Sequence, residues 1–112
     1  MHGHVVETID VMRCDLAFPW TPESLAVAVH LSRAQLMRSF AAVVGVGPIT
    51  CLKGLRVERM AELLLSTDLT IAEVSKVVGR DDPSFAGRQF RARYATTPTE
   101  FRRQHVTPPR GP

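Results

Sequence analysis

Arg38 and Arg88 are the side chains whose setting invites chemistry. Each is followed by a polar residue and a phenylalanine, as Arg38-Ser39-Phe40 and Arg88-Gln89-Phe90, fifty positions apart. Pro48, with Cys51 three residues on, returns at the same offset as Pro98 and Phe101, while Thr21, Leu25 and Val29 return at an offset of forty-nine as Thr70, Val74 and Val78. A repeat of this length marks two similar helical units. A guanidinium is a planar fork of donors, so an outward arginine on a helix can bond guanine O6 and N7 together or grip a phosphate. Between residues 84 and 103 stand Arg88, Arg91, Arg93, Arg102 and Arg103, opposed only by Glu100. A one-sided cluster of this kind attracts polyanions.

The remaining reactive side chains point nowhere comparable. Cys14 and Cys51 are far apart and lack metal-type spacing. A reactive thiolate needs basic neighbours and access. Cys51 takes the repeat position of Phe101, a packed core site, and Cys14 sits between Arg13 and Asp15. No histidine, cysteine or acid completes a triad or metal set around either. His2 and His4 read as flexible tail. No catalytic residue, metal or cofactor is expected, and the chain is not read as an enzyme. At 112 residues it is one domain's worth, with enough apolar material at 45% for a core and a net charge of only +3. No apolar run approaches the ~18 residues of a membrane span, and the N-terminus lacks a signal-peptide layout. A cytoplasmic location and no membrane partner are expected.

The elements that must position the arginines are all helical. Val5, Ile9, Met12 and Leu16 recur at helical steps and predict a first helix over about 5–17; Phe18-Pro19-Trp20 stops it. Trp20 is placed to pack over the next helix start. Thr21-Pro22-Glu23 opens a short helix to about His30. Ser32-Arg-Ala-Gln35 is a capping box starting another to about Val44, ended by Gly45-Val-Gly47. Pro48 opens a long helix to about Ser66, whose apolar positions are Ile49, Leu52, Leu55, Met60 and Leu63-Leu-Leu65. Thr70-Ile-Ala-Glu73 is a second capping box, for a helix reaching Val78 and Gly79. Asp82-Pro83 starts one to Tyr94, and Thr97-Pro-Thr-Glu100 combines a box with proline for a last helix to His105. Residues 106–112 read as a frayed tail. No stretch alternates with period two. The fold class is all-α: one domain over 1–112, with a first helix-turn-helix at about 5–46, a connecting helix at 48–66 and a second helix-turn-helix at about 69–105.

Helical angles separate inner from outer faces. In the helix from Arg33, Leu36, Phe40 and Val43 share the core side, and Ala34, Met37, Arg38 and Ala41 face out. In the helix from Pro83, Ala86, Phe90 and Tyr94 face in, and Ser84, Arg88, Arg91 and Ala92 face out. Ala34 and Met37 offer only apolar contact, for instance with a thymine methyl. The connecting helix spans on the order of 28 Å at ~1.5 Å per residue. Such a spacer suits two recognition helices about one DNA turn apart, ~34 Å, in successive major grooves, with the DNA bending where the spacing does not match.

With those residues located, the chain resembles the DNA-binding domain of the AraC/XylS family of bacterial transcription regulators. The resemblance runs from about Trp20 to Arg103 through Leu31-Ser-Arg33, Leu36-Met-Arg-Ser-Phe40, Gly45-x-x-Pro48, Leu55-Arg-Val-Glu-Arg-Met-Ala61, Leu64-Leu-Ser-Thr-Asp-Leu-Thr-Ile-Ala72, Gly79-x-x-Asp82-Pro-Ser84, Arg88-x-Phe90 and Pro98-x-x-Phe101-Arg102. It implies a seven-helix domain with two helix-turn-helix motifs that binds promoter DNA, often as an activator touching RNA polymerase. It places base contacts at Arg33, Ala34, Met37 and Arg38, and at Ser84, Phe85 and Arg88; the basic cluster adds Arg91, Arg102 and Arg103. The chain departs from the pattern in the second unit, with Arg80 where an aromatic is usual, Ala86 and Gly87 after Phe85, and Ala95 where glycine usually ends the helix. About twenty residues precede the match, too few for a sensor, so no small-molecule effector site is expected in this chain.

Two rival functions stand beside this reading. A protein-interaction module that has lost DNA readout would explain the apolar Ala34 and Met37, and a cysteine alkyl acceptor linked to DNA repair would use Cys14 or Cys51.

Overall fold

The computed structural model describes residues 2–105, and the expected tail at 106–112 lies outside them. Among these described residues seven helices follow one another: α1 (His2–Cys14), α2 (Pro22–Ala28), α3 (Arg33–Val43), α4 (Pro48–Ser66), α5 (Ile71–Val77), α6 (Pro83–Tyr94) and α7 (Pro98–His105). No strand occurs among the described residues.

Local chemistry sets the helix starts. Thr21, Ser32 and Thr70 each accept a bond from the backbone N–H three residues on. In return Ser24 Oγ, Gln35 Oε1 and Glu73 Oε1 accept the cap's own N–H, at 2.9, 2.9 and 2.8 Å. Each reciprocal pair satisfies two donors that a helix end leaves open. Asp82 caps α6 through Ser84 N–H at 2.9 Å. The expected box at Thr97 is only half formed. Thr97 Oγ1 takes the Glu100 N–H, but the Glu100 carboxylate turns to Arg103 instead.

The turn inside each pair closes the same way. His30 N–H donates to Val27 O and Leu31 N–H to Ala26 O; Gly79 N–H donates to Lys76 O and Arg80 N–H to Ser75 O. Both turns need a residue at positive φ, which is 59° at His30 and 88° at Gly79. Glycine reaches this region without a Cβ clash; His30 does so against its steric preference.

The chain divides into two compact units, Met1–Leu55 and Arg56–Pro112, with the boundary inside α4. In the first, α1 packs on α2 and α3. Its core gathers Val5, Met12, Leu25, Val29, Leu36 and Phe40 with Leu52 and Leu55 from the start of α4. Trp20 packs against this core, with its ring 4.5 Å from Phe18 and its Nε1–H donated to Asp15 O. Cys51 also packs there, half-buried, and Cys14 is exposed; neither forms a disulfide.

In the second unit, α6 packs on α5 and α7. Val57, Met60, Leu63 and Leu64 from the rest of α4 meet Val74, Val78, Ala86, Phe90 and Phe101. Phe90, Tyr94 and Phe101 lie with ring centroids 4.7–5.4 Å apart, and the His105 ring stacks on Phe101 at 4.3 Å. Burial in this aromatic group pushes the Tyr94 phenol up from its ordinary pKa.

Beyond the half-formed box at Thr97, four sequence-based expectations need correction. The first helix starts at His2 and ends at Cys14 rather than spanning 5–17, so His2 and His4 belong to a packed helix rather than a loose tail. Val43 is 40% exposed, at the last residue of α3, beyond the turn whose Leu36, Ser39 and Phe40 are buried. Leu65 is 47% exposed, whereas its neighbours Leu63 and Leu64 take the core-facing places of the same turn.

The fourth concerns Arg102, expected on the DNA-facing side. Its Nε donates to Leu64 O at 3.0 Å, Nη1 to Leu69 O at 2.6 Å and Nη2 to Thr67 O at 3.1 Å. Those carbonyls lie at the end of α4 and in the turn after it, where the helix has no internal donors left. Arg102 thus fastens α7 to the α4–α5 turn, and its fork is not offered to a phosphate.

Arg102→Ala is expected to lower stability by at least ~2 kcal/mol, since it strips charged donors from three carbonyls. Arg103→Ala, which removes only an exposed ion pair with Glu100, should leave stability essentially unchanged; denaturant melts compare the two. Ala95 ends α6 at φ 61°, and Gly45 follows α3 at φ 88°. Ala95→Gly should raise stability by up to ~1 kcal/mol and Gly45→Ala lower it by about as much, which thermal melts will show as opposite shifts.

Candidate nucleic-acid interface

The outward face of α3 carries Arg33, Ala34, Met37, Arg38 and Ala41, all exposed. Arg33 pairs with Glu23 of α2 at 2.9 Å, with both side chains mostly in solvent. A surface pair of that kind contributes ~0–1 kcal/mol and exchanges readily for a stronger anion. Met37 is 36% exposed, and its Cε lies 3.6 Å from where a Cβ on Gly47 would stand, so it leans over the turn that ends α3. Arg38 borders a hollow of ≈190 Å³ lined also by His4, Gln35 and Ser39. His4 comes from α1, and no motif pointed to it. The periodicity of α1 carried the necessary signal, had it been extended to the N-terminus.

On α6 the outward face carries Ser84, Phe85, Arg88, Arg91 and Ala92. The helix from Pro83 to Tyr94 has three arginines and no acid. Arg93 is drawn toward Glu58 of α4 at 3.7 Å and lies 4.9 Å from the Tyr94 ring. Arg88 and Arg91 enter no ion pair within 4 Å among the described residues. Phe85 is 36% exposed, and the Arg88 guanidinium lies 5.8 Å from its ring centroid. A cation over an aromatic face gains ~0.5–1 kcal/mol at an exposed site, enough to bias Arg88's rotamers toward the ring. Arg103 is held by Glu100, whose carboxyl that hydrogen bond keeps below the usual range.

One neighbour of this face escaped the sequence reading as a site residue. The Arg80 guanidinium, from the turn before α6, lies 5.1 Å from the centroid of the Phe85 ring. Its Nε and Nη2 are buried with no acceptor among the described residues. Each buried donor left unpaired costs ~1–3 kcal/mol. Burial lowers the Arg80 pKa from its ordinary value; burial and then the nearby Arg80 charge lower that of Arg56. The only hint in the sequence was the unexpected residue type after Gly79.

Each of the two helix pairs therefore presents its second helix to solvent, with an arginine at the repeat position. The first face is mostly apolar and the second mostly cationic. On a duplex, an apolar face suits methyl contacts and an arginine face suits guanine edges and phosphates.

A family model described as a helix-turn-helix domain matches residues 25–104. The HTH-type transcriptional regulator CdhR of Pseudomonas aeruginosa is 34% identical over 98 residues, covering 88% of this chain and 29% of that protein. This chain therefore spans under a third of that relative's length. A crystal structure of a transcriptional regulator with an AraC-type DNA-binding domain, from Chromobacterium violaceum, superposes with a TM-score of 0.90 at 26% identity, covering 96% of each chain. The DNA-binding domain of the global transcriptional factor AdpA, solved in complex with a target DNA, gives 0.83 at 25% identity, covering 89% of this chain and 90% of that one. Matched over most of its length and alike in fold to solved members, the chain belongs to the AraC-type family of helix-turn-helix domains.

Proposed function

We propose that this chain is the sequence-specific DNA reader of a transcriptional regulator, with α3 and α6 each entering a major groove of promoter DNA. The observation that carries this is the pair of exposed arginines, Arg38 and Arg88, at matching places on the second helix of each helix pair. Arg88 and Arg91, without an ion pair among the described residues and on a helix without acids, favour a polyanionic partner over a protein surface. Arg38 and Arg88 read base edges. Ala34, Met37 and Phe85 make apolar contacts, and Ser84, Arg33, Arg91 and Arg103 hold the backbone. The likeness to the AdpA domain solved on DNA supports the same assignment. The readout is cytoplasmic, and contact with RNA polymerase follows from the regulator role. We assign small-molecule sensing to no residue of this segment.

Selection of bound sites from random duplexes tests the proposal, with two specified blocks in one site as the expected result. Arg88→Ala should weaken the selected site by ~1–3 kcal/mol and relax preference at one base pair. Arg91→Ala should instead weaken all sequences alike and reduce the salt slope by roughly one. An affinity that stays flat as salt rises would favour the protein-interaction module instead.

A further inference from the structure

The internal repeat supplies a control for Arg80. In the first unit the turn after α2 is closed by Leu31, which packs against the core. In the second unit the turn after α5 is closed by the same backbone bonds, and the residue in Leu31's place is Arg80. An apolar side chain ordinarily completes this turn by touching the helix it ends. Arg80 offers instead a cation whose Nε and Nη2 are buried and find no acceptor. Gln89 Oε1, buried without a donor on α6, makes no bond with it. Asp81 and Asp82 follow it directly in sequence, yet none of the ion pairs within 4 Å among the described residues includes it. Asp82 is engaged with the Ser84 N–H. The position is therefore poor for stability and holds ready-made donors.

Those donors stand next to the face proposed for DNA. The Phe85 ring has Arg80 at 5.1 Å and Arg88 at 5.8 Å from its centroid. The ring is partly exposed, so a guanidinium resting on it needs only rotations of its own flexible stem to reach the surface. We infer that Arg80 is a DNA-phosphate ligand of the second unit, parked against Phe85 in the free chain and turned out onto the backbone beside α6 when duplex binds. The inference rests on the DNA-reader reading above and adds a contact that the aromatic residue usual at this position could not make. A phosphodiester accepts the two donors that the fold leaves open, and Phe85 keeps the side chain near its point of use.

Arg80→Leu, which copies Leu31, and Arg80→Lys, which keeps the charge, test this together. Arg80→Leu is expected to melt above the parent chain, bind all duplexes about 3- to 10-fold more weakly near ~0.1 M salt, and show a salt slope smaller by roughly one. Arg80→Lys should retain the parent slope. Unchanged affinity and slope in Arg80→Leu, or a loss confined to one sequence, would overturn the inference while leaving the DNA-reader reading intact. Failure of the parent chain to bind any duplex in a salt-dependent way would sink that reading itself. Inorganic phosphate at constant ionic strength is the remaining arm: stabilisation of the parent but not of Arg80→Leu, with no change in DNA slope, would assign the site to a free anion and refute the duplex.

Discussion

The structure depends on one backbone constraint, the reversal that joins the two helices of each pair. For the second helix to leave at a steep angle, the first must end within one residue. Its last carbonyls must also be covered. A single left-handed residue, His30 or Gly79, lets two successive N–H groups fold back onto the helix just completed. A fresh cap then starts the next helix two or three residues later. Everything on the outward faces of α3 and α6 takes its direction from that sequence of bonds. In the first unit the strain falls on a histidine, and in the second the apolar plug is replaced by a cation. The duplicated scaffold tolerates a different defect in each copy.

The two copies have diverged in chemistry more than in shape. The outward face of α3 sets methyl and thioether surface beside Arg33 and Arg38, whereas α6 is a cationic strip without a single carboxylate. A shape common to both, with faces so different, is suited to dividing the work between discrimination of bases and attraction to the backbone. Each helix keeps one arginine paired, Arg33 with Glu23 and Arg93 with Glu58, while Arg38, Arg88 and Arg91 enter no ion pair within 4 Å among the described residues.

Much of this was legible in the sequence, because helix starts are local. Prolines at 48, 83 and 98 and the polar caps before α2, α3, α5 and α6 mark starts that the structure reproduces closely. The outward arginines were legible too, since a phenylalanine two places on fixes the inner side. What was not legible depends on distant partners. Nothing near Arg102 in sequence announces the carbonyls of Leu64, Thr67 and Leu69, more than thirty positions away. Val43 obeys the helical period but lies beyond the reach of its own core. His4 stands near the terminus in sequence, and only the packing of α1 brings it to the hollow beside Arg38. Glu100 had two possible partners, a backbone N–H and an arginine side chain, and the charged one prevailed.

The aromatic residues have an optical consequence. The chain has a single tryptophan and a single tyrosine. Trp20 packs on the core of the first unit, and Tyr94 packs in that of the second. Indole emission therefore reports on one copy of the scaffold and phenol absorbance on the other, so each half carries its own native chromophore without any label.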